Sequence, residues 1–330
     1  MILNIIFLIL GIIILVKGAD IFIDSGTEIG KVFKISEIIL GLTFVAFGTS
    51  LPELCISVMG ASKGSSGLVI GNIVGTNLFN ICVILGMVCL ISPLKLLRQT
   101  VRKDIYMSFL TSVILLVVLL DTFLTNLTEN IISRTDGIIL LLFFGVFMYY
   151  TLYEFGEYNK QREAKLDKKE EKIIINKATK KKILKNLVIA IIGIAMVFLG
   201  SDLIVNNAVE IARGFKISET FIGIAIIGIG TSMPEVFTTI AAVKKNRINI
   251  AIGNLIGSNM FNTLLILGVS SIVSPIALPS SLLLIDCAVF ISVCAVMILF
   301  TKRKFEISRL EGLVLIMIYV IYMIFTVVRG

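Results

Sequence analysis

Hydrophobic positions in this chain neither alternate nor recur on one helical face; they fill uninterrupted runs of about 17 to 27 residues, set apart by short charged segments. A run of that length, apolar on every side, crosses roughly 30 Å of hydrocarbon as a helix. Ten such runs are visible, over 3–24, 36–61, 67–91, 104–121, 136–154, 184–210, 218–243, 249–273, 282–300 and 309–328. They predict an all-α membrane protein with ten transmembrane helices. The composition agrees, because 57% hydrophobic and 16% charged residues over a 330-residue chain is more apolar surface than one soluble core encloses.

Charges between the runs set the orientation. With the N-terminus outside, 24 of the 30 Lys and Arg residues fall on the inner face, eleven of them between Lys160 and Lys185. Lys63, Arg134, Arg213, Lys216 and Arg329 fall outside, and Lys17 lies within the first run. The positive-inside rule therefore predicts a multi-pass protein of the cell membrane, with both termini outside and the 156–183 segment cytoplasmic. The formal charge of +8 becomes a topology signal and an attraction to anionic lipid headgroups. No basic patch interleaved with aromatics points to nucleic acid. The first run has no preceding basic residue and no following small-residue cleavage site, so it reads as a membrane helix rather than a signal peptide. All five cysteines lie in apolar runs without C-x-x-C spacing and read as small buried hydrophobes, implying neither disulfides nor a metal site. Nothing calls for a cofactor or an obligatory protein partner; the expected surroundings are the lipid bilayer.

The chain is written twice. A shift of 182 residues superimposes Gly18 to Asp104 on the second half without a gap. Phe33-Lys34-Ile35-Ser36-Glu37 recurs from Phe215 to Glu219, Gly48-Thr49-Ser50-x-Pro52-Glu53 recurs from Gly230 to Glu235, and Gly71, Asn72, Gly75, Asn77, Phe79 and Asn80 recur from Gly253 to Asn262. The expected organisation is a first five-helix repeat over 1–155, a charged cytoplasmic linker over 156–183, and a second five-helix repeat over 184–330. An odd number of helices per copy makes the second enter the membrane from the opposite side, so the repeats are inverted. Inverted halves suit alternating access around one midplane site. A static inherited duplication is the plainer alternative, and it leaves the buried acids without a purpose. The linker reads as a solvated segment resting on anionic lipid, with regulation a second reading.

Those acids are Glu53 and Glu235. A carboxylate at mid-membrane costs several kcal/mol or more, so each should face a polar cavity and a cation. The sequence places no basic side chain at that depth, so the positive charge is expected from metal ions or protons. Pro52 and Pro234 each remove a helix hydrogen bond, which frees carbonyl oxygens near Ala46 to Thr49 and Gly228 to Thr231. Four-residue spacing lines up Thr49, Glu53 and Ser57, and likewise Thr231, Glu235 and Thr239, with Ser50 and Ser232 one turn before the glutamates. The next run of each copy repeats the spacing with Asn72, Thr76, Asn80 and with Asn254, Ser258, Asn262. Every donor is an oxygen, the ligand type of hard cations such as Ca2+ and Na+, and the chain has no histidine to favour zinc or copper. Small and amide side chains also simply pack membrane helices. Asn72, Asn254, Asn77 and Asn259 read as packing or support, and Ser57 and Thr239 stand between support and ligation. Asp20 and Asp202 lie toward helix ends and read as gating or structural groups; Asp104 and Asp286 read as helix caps.

The G-T-S-L-P-E and G-T-S-M-P-E segments, with the G-N-x-x-G-[ST]-N-x-F-N runs starting at Gly71 and Gly253, resemble the alpha-repeats of the cation/calcium exchanger superfamily, in particular prokaryotic sodium/calcium exchangers. The resemblance covers nearly the whole chain. It implies that Glu53 and Glu235 hold Ca2+ with Thr49 and Thr231. Ser50, Thr76, Ser232, Ser258 and the carbonyls of Ala46 and Gly228 would complete flanking Na+ sites, and Asn80 and Asn262 would border the middle of the cluster. It further implies exchange of three Na+ for one Ca2+, where the residues alone would equally allow two. Some relatives, including potassium-dependent exchangers, carry Asp where this chain has Asn262, and proton/calcium exchangers place an acid where Gly75 and Gly257 stand. Both departures favour a potassium-independent Na+/Ca2+ exchanger over those two branches.

Two rival readings follow from the same residues. The oxygens would also line a continuous pore, making a channel. An intramembrane enzyme is disfavoured, because without histidine there is neither a Ser-His pair nor an H-E-x-x-H site, and no G-x-G-D pattern is present.

Overall fold

A computed structural model describes residues 2–64, 66–96, 100–125, 131–165, 177–214, 230, 232–277 and 282–329. Its helices are α1 Ile2–Phe33, α2 Glu37–Thr49, α3 Leu51–Ser62, α4 Ser66–Ile91, α5 Tyr106–Thr125, α6 Arg134–Lys165, α7 Lys177–Gly214, α8 Met233–Lys244, α9 Ile248–Val273, α10 Leu282–Lys304 and α11 Arg309–Arg329. Among the described residues, seven helices are long and apolar enough to cross a membrane, and the bent pair of α2 and α3 makes an eighth. The first half of the expected 218–243 span lies outside the described residues, as do Phe215 to Glu219. Helix α6 continues to Lys165 and α7 begins at Lys177, so both ends of the expected linker are helical.

Chain contacts divide the protein into two compact units, Met1–Thr49 with Gly145–Asn254, and Ser50–Phe144 with Leu255–Gly330. Each draws on both sequence copies, so compact units and repeats are different divisions of the chain. In the first unit α1 and α7 run antiparallel at close range. A Cβ at Gly11 would stand 3.0 Å from the Gly200 carbonyl oxygen, and one at Gly18 would stand 2.8 Å from that of Gly193. Glycine permits this backbone approach where lipid supplies no hydrophobic drive. Under the 182-residue shift Gly11 maps to Gly193 and Gly18 to Gly200, so the crossing is its own mirror in the repeat. Helix α2 meets α9 in the same way, through Gly41 and Gly253.

The second unit shows the same reciprocity and extends it. Short antiparallel pairs join Leu94–Lys95 to Glu306–Ile307 and Ile131–Ile132 to Ile276–Ala277. Ser133 and Ser308 begin α6 and α11 with matching caps: Asp136 accepts from the Ser133 N–H and hydroxyl at 2.8 and 2.7 Å, and Glu311 from those of Ser308 at 2.7 and 2.8 Å. One turn on, Gly137 packs on the Gly268 carbonyl of α9 and Gly312 on the Gly86 carbonyl of α4, with hypothetical Cβ distances of 2.7 and 2.9 Å. Gly86 and Gly268 are equivalent by the 182-residue shift, whereas Gly137 and Gly312 are not. Helices α6 and α11 therefore match each other too, on a spacing shorter than 182 residues.

Burial separates core from lipid-facing helices. In α4 and α9, 78% of the membrane window is buried, against 22% in α1, α6 and α7 and 11% in α11. One expected cap stands elsewhere. Asp286 is the fifth residue of α10, buried, and accepts from the Tyr322 hydroxyl of α11 at 3.1 Å. Asp104 is buried and is the acid in the first turn of a π-helical segment, Val101–Ile105, that leads into α5.

Candidate cation-binding site

The first G-T-S-x-P-E copy interrupts its helix at the serine, and the second has the same backbone turn at its serine. Ser50 has φ −84° and ψ 5°, Ser232 φ −88° and ψ 4°, and a new helix starts directly after each with proline in its first turn. Proline lacks the N–H that a continuing helix would use but fits the first turn of a new one, where that N–H has no partner. The sequence anticipates a displaced hydrogen bond; at Ser50 the structure makes it a full stop and restart. Glu53 and Glu235 thus fall in the first turns of α3 and α8, where the unpaired N–H groups and the helix dipole favour a carboxylate anion. Neither carboxylate is exposed to any measurable degree.

In the first unit, Ala46, Thr49, Ser232, Glu235, Thr238, Thr239 and Asn254 are all buried. The Thr49 hydroxyl lies 3.3 Å from the Ala46 carbonyl oxygen and 3.2 Å from Asn254 Oδ1, within donating range of both. Asn254 Nδ2 donates to Thr239 at 3.1 Å and to Thr238 at 3.4 Å. Asn254 therefore ties the last residue of α2 to the face of α8 that carries Glu235, in keeping with a supporting role. Gly228 and Thr231 lie outside the described residues.

In the second unit, Ser50, Glu53, Ser57, Thr76, Asn80, Ser258 and Asn262 are buried. Asn72 Nδ2 donates to the Ser57 hydroxyl at 3.1 Å, again linking the asparagine of one helix to the glutamate face of its neighbour. Around Asn80 and Asn262, α4 and α9 run antiparallel and exchange carboxamide bonds. Asn80 donates to Asn259 Oδ1 at 3.0 Å, and Asn262 donates to Asn77 Oδ1 at 3.1 Å. Asn80 and Asn262 each stand at a π-helical segment, where the N–H groups of Leu85 and Leu267 reach back to the carbonyls of Asn80 and Asn262. Such one-turn widenings collect at functional sites, and no sequence pattern announced them here.

The amide nitrogens are thus consumed and the oxygens left over. Among the described residues, Asn80 Oδ1, Asn262 Oδ1 and Ser50 Oγ are buried without a hydrogen-bond partner. A buried acceptor in that state costs about 1–3 kcal/mol, a cost that a bound cation offsets. Carboxylate, amide and hydroxyl oxygens without nitrogen or sulfur donors are the set that suits Ca2+ and Na+.

Away from these residues, α1 carries charge at its last turns. Lys245 bridges Asp24 at 2.7 Å and Asp20 at 3.5 Å, Lys182 bridges Glu28 at 3.0 Å, and Arg247 pairs with Glu37. The expected structural role of Asp20 fits this; Asp202 is exposed.

A family model described as Sodium/calcium exchanger protein matches residues 3–153 and 185–328. The chain is similar to the sodium/calcium exchanger MaX1 of Methanosarcina acetivorans, at 30% identity over 97% of both chains. It is similar also to the putative antiporter CaxA of Alkalimonas amylolytica, at 30% identity over 96% of both. A solved structure of the sodium-calcium exchanger NCX_Mj, soaked with Na+ and Sr2+, superimposes with a TM-score of 0.82, 29% identity and 98% coverage of each chain.

Proposed function

The chain belongs to the sodium/calcium exchanger family, whose members are membrane transporters and not enzymes, and on that premise we propose that it is a secondary active antiporter exchanging Na+ for Ca2+ across the cell membrane. The observation that carries this reading is the pair of fully buried glutamates, Glu53 and Glu235, each in the first turn of a helix that opens with proline and whose face also carries buried hydroxyl side chains, Ser57 in one copy and Thr238 and Thr239 in the other. Two carboxylates supply a charge of about −2, which one Ca2+ neutralises and several Na+ can share. Competition for the same oxygens is exchange.

In this proposal Glu53, Glu235, Thr49 and Thr231 hold Ca2+. Ser50, Ser232, Thr76, Ser258 and the carbonyls of Ala46 and Gly228 serve Na+, with Asn80 and Asn262 bordering the centre. Three Na+ move for each Ca2+, so one net charge crosses per cycle, and no potassium is required. Ten transmembrane helices form two inverted five-helix repeats, over 1–155 and 184–330, joined by the cytoplasmic 156–183 segment, with both termini outside. The reciprocal antiparallel glycine crossing of α1 with α7 and the matched caps of α6 and α11 support that arrangement. Alternating access follows if α1 and α7 slide as a pair over the rest of the bundle.

The test is Ca2+ uptake into proteoliposomes with the voltage clamped. Uptake that needs an opposing Na+ gradient and carries one net charge per Ca2+ is expected. Uptake indifferent to Na+ indicates a channel and defeats the proposal; dependence on H+ or K+ assigns the chain to another branch of exchangers.

A further inference from the structure

We propose that Asn77 and Asn259, which are absent from the proposed ligand set, are positioning residues that lock the carboxamides of Asn80 and Asn262 with their oxygens turned toward the transported cation. The inference rests on the cation-binding reading of those two residues.

A carboxamide has an oxygen and an NH2 of nearly equal size on one rotor. Half a turn replaces a cation ligand by a positive edge, so a site using Asn must fix which end faces the ion. Here the nitrogen of Asn80 is held by Asn259 Oδ1 at 3.0 Å and the nitrogen of Asn262 by Asn77 Oδ1 at 3.1 Å. The acceptors are themselves held, Asn259 in one sense only and Asn77 by a hydroxyl contact. Asn259 Nδ2 donates to the backbone carbonyl of Asn77 at 3.3 Å, a group that cannot flip, and Asn77 Nδ2 donates to the Thr263 hydroxyl at 2.8 Å. Turning any one of the four amides sets N–H against N–H or oxygen against oxygen. All five side chains, Asn77, Asn80, Asn259, Asn262 and Thr263, are buried, so water offers no substitute partner.

Unspent acceptors give the second, independent sign of a ligand. Asn80 Oδ1 and Asn262 Oδ1 are buried and unpartnered among the described residues, whereas the oxygens of Asn77 and Asn259 both accept. The outer member of each carboxamide pair is satisfied at both ends, and the inner member at the nitrogen alone. Packing asparagines would show no such division. The arrangement is reciprocal under the 182-residue shift, which exchanges Asn80 with Asn262 and Asn77 with Asn259. It departs from symmetry only at the anchors, since Ile81 occupies the position equivalent to Thr263 and offers no hydroxyl.

A double-mutant cycle tests the lock. Asn77→Leu removes the acceptor that holds Asn262, and Asn262→Asp removes the nitrogen that needs holding, because either carboxylate oxygen then serves the cation. Equilibrium binding of radioactive Ca2+ to the solubilised protein should weaken about tenfold in Asn77→Leu, and by no more than about twofold when the same change is made in Asn262→Asp. Equal losses in both backgrounds assign Asn77 to packing and overturn the proposal. If Asn77→Leu does not fold, Thr263→Val replaces it, loosening the anchor of Asn77, and the same pattern of loss and rescue is required. A wild-type protein that binds Ca2+ but shows no Na+-driven uptake defeats the exchange reading and leaves the lock standing; one that binds no Ca2+ defeats both.

Discussion

The two copies of the glutamate motif share local geometry and differ in what surrounds them. Ser50 and Ser232 agree within a few degrees in φ and ψ, and the N–H groups of Leu54 and Val236 reach back to the Ser50 and Ser232 carbonyls at the same 3.1 Å. The helices that follow are packed unequally. Gly253 and Asn254 are buried, with Gly253 pressed on the backbone of α2 and Asn254 held by Thr49, Thr238 and Thr239. Of their counterparts, Gly71 is exposed and Asn72 is partly buried, donating to Ser57; the residues equivalent to Ile38, Gly41, Leu42 and Thr49 fall at 220, 223, 224 and 231, outside the described residues. The two copies thus differ in burial on the helix that follows while the helix start at the glutamate stays the same. For a transporter whose halves exchange roles, that separation is the useful property: the ligands are built into rigid turns, and the change of state is left to helix contacts made by small residues.

The largest effect should therefore be symmetrical. Glu53→Gln and Glu235→Gln each remove a buried charge from an identical helix start, and each should reduce Ca2+ binding on the order of 100-fold or more. Folding should survive, because a neutral amide is cheaper to bury than an unneutralised carboxylate. Radioactive Ca2+ binding and size-exclusion profiles of the two variants check both halves of the expectation. Normal transport by either one removes that glutamate from the site.

The next effect should be asymmetrical. A Cβ at Gly253 would stand 2.5 Å from the Ile38 carbonyl oxygen and 2.9 Å from the Leu42 nitrogen, both backbone atoms that cannot turn aside. Overpacking of this kind costs about 1–3 kcal/mol, more than alanine returns in helix propensity. Gly71→Ala meets no described atom, and the propensity gain of about 1 kcal/mol should remain. The thermal midpoint in detergent should fall for Gly253→Ala and hold or rise for Gly71→Ala. Equal shifts would erase the contrast in burial between Gly253 and Gly71.

Most of this was legible because the repeat is punctuated by residues with few alternatives. Gly, Pro, Asn and Glu inside apolar runs stand out, and their shared 182-residue spacing located both glutamates and the oxygen rows before any geometry was known. What stayed hidden has physical reasons. Helices α6 and α11 are repeated on a different spacing, and the marks they share are a serine, an acid three residues on and a glycine, a capping signature common to unrelated helices. The π-helical turns at Asn80 and Asn262 leave no compositional trace, since one extra residue in a hydrogen-bonded turn changes neither hydrophobicity nor charge. Which end of an amide points where depends on the partner across the helix pair, so Asn77 and Asn259 read from sequence as ordinary packing. Asp286 reads from sequence as a cap because it stands near a helix start; its partner, Tyr322, lies 36 residues away on the next helix.

The smallest effect concerns charge at the ends of the copies. Lys245 bridges Asp24 and Asp20 across an exposed surface, while its counterpart Lys63 is exposed and has no ion-pair partner among the described residues. The repeat equivalents of Asp20 and Asp24 are Asp202 and Asn206, so the second copy offers a single carboxylate where the first offers two. Exposed pairs contribute about 0.2–1 kcal/mol and are screened by salt. Lys245→Ala should lower the thermal midpoint slightly at low ionic strength, and the difference should vanish in about 1 M salt, where the screening length is roughly 3 Å. Lys63→Ala should change nothing at either salt concentration. Asp24→Asn, which gives the first copy the second copy's residue, should reproduce most of the Lys245→Ala effect, because the 2.7 Å contact is the shorter of the two carboxylate bonds. A salt-independent loss in Lys245→Ala would mean that its aliphatic stem, packed beside α1, contributes more than its charge.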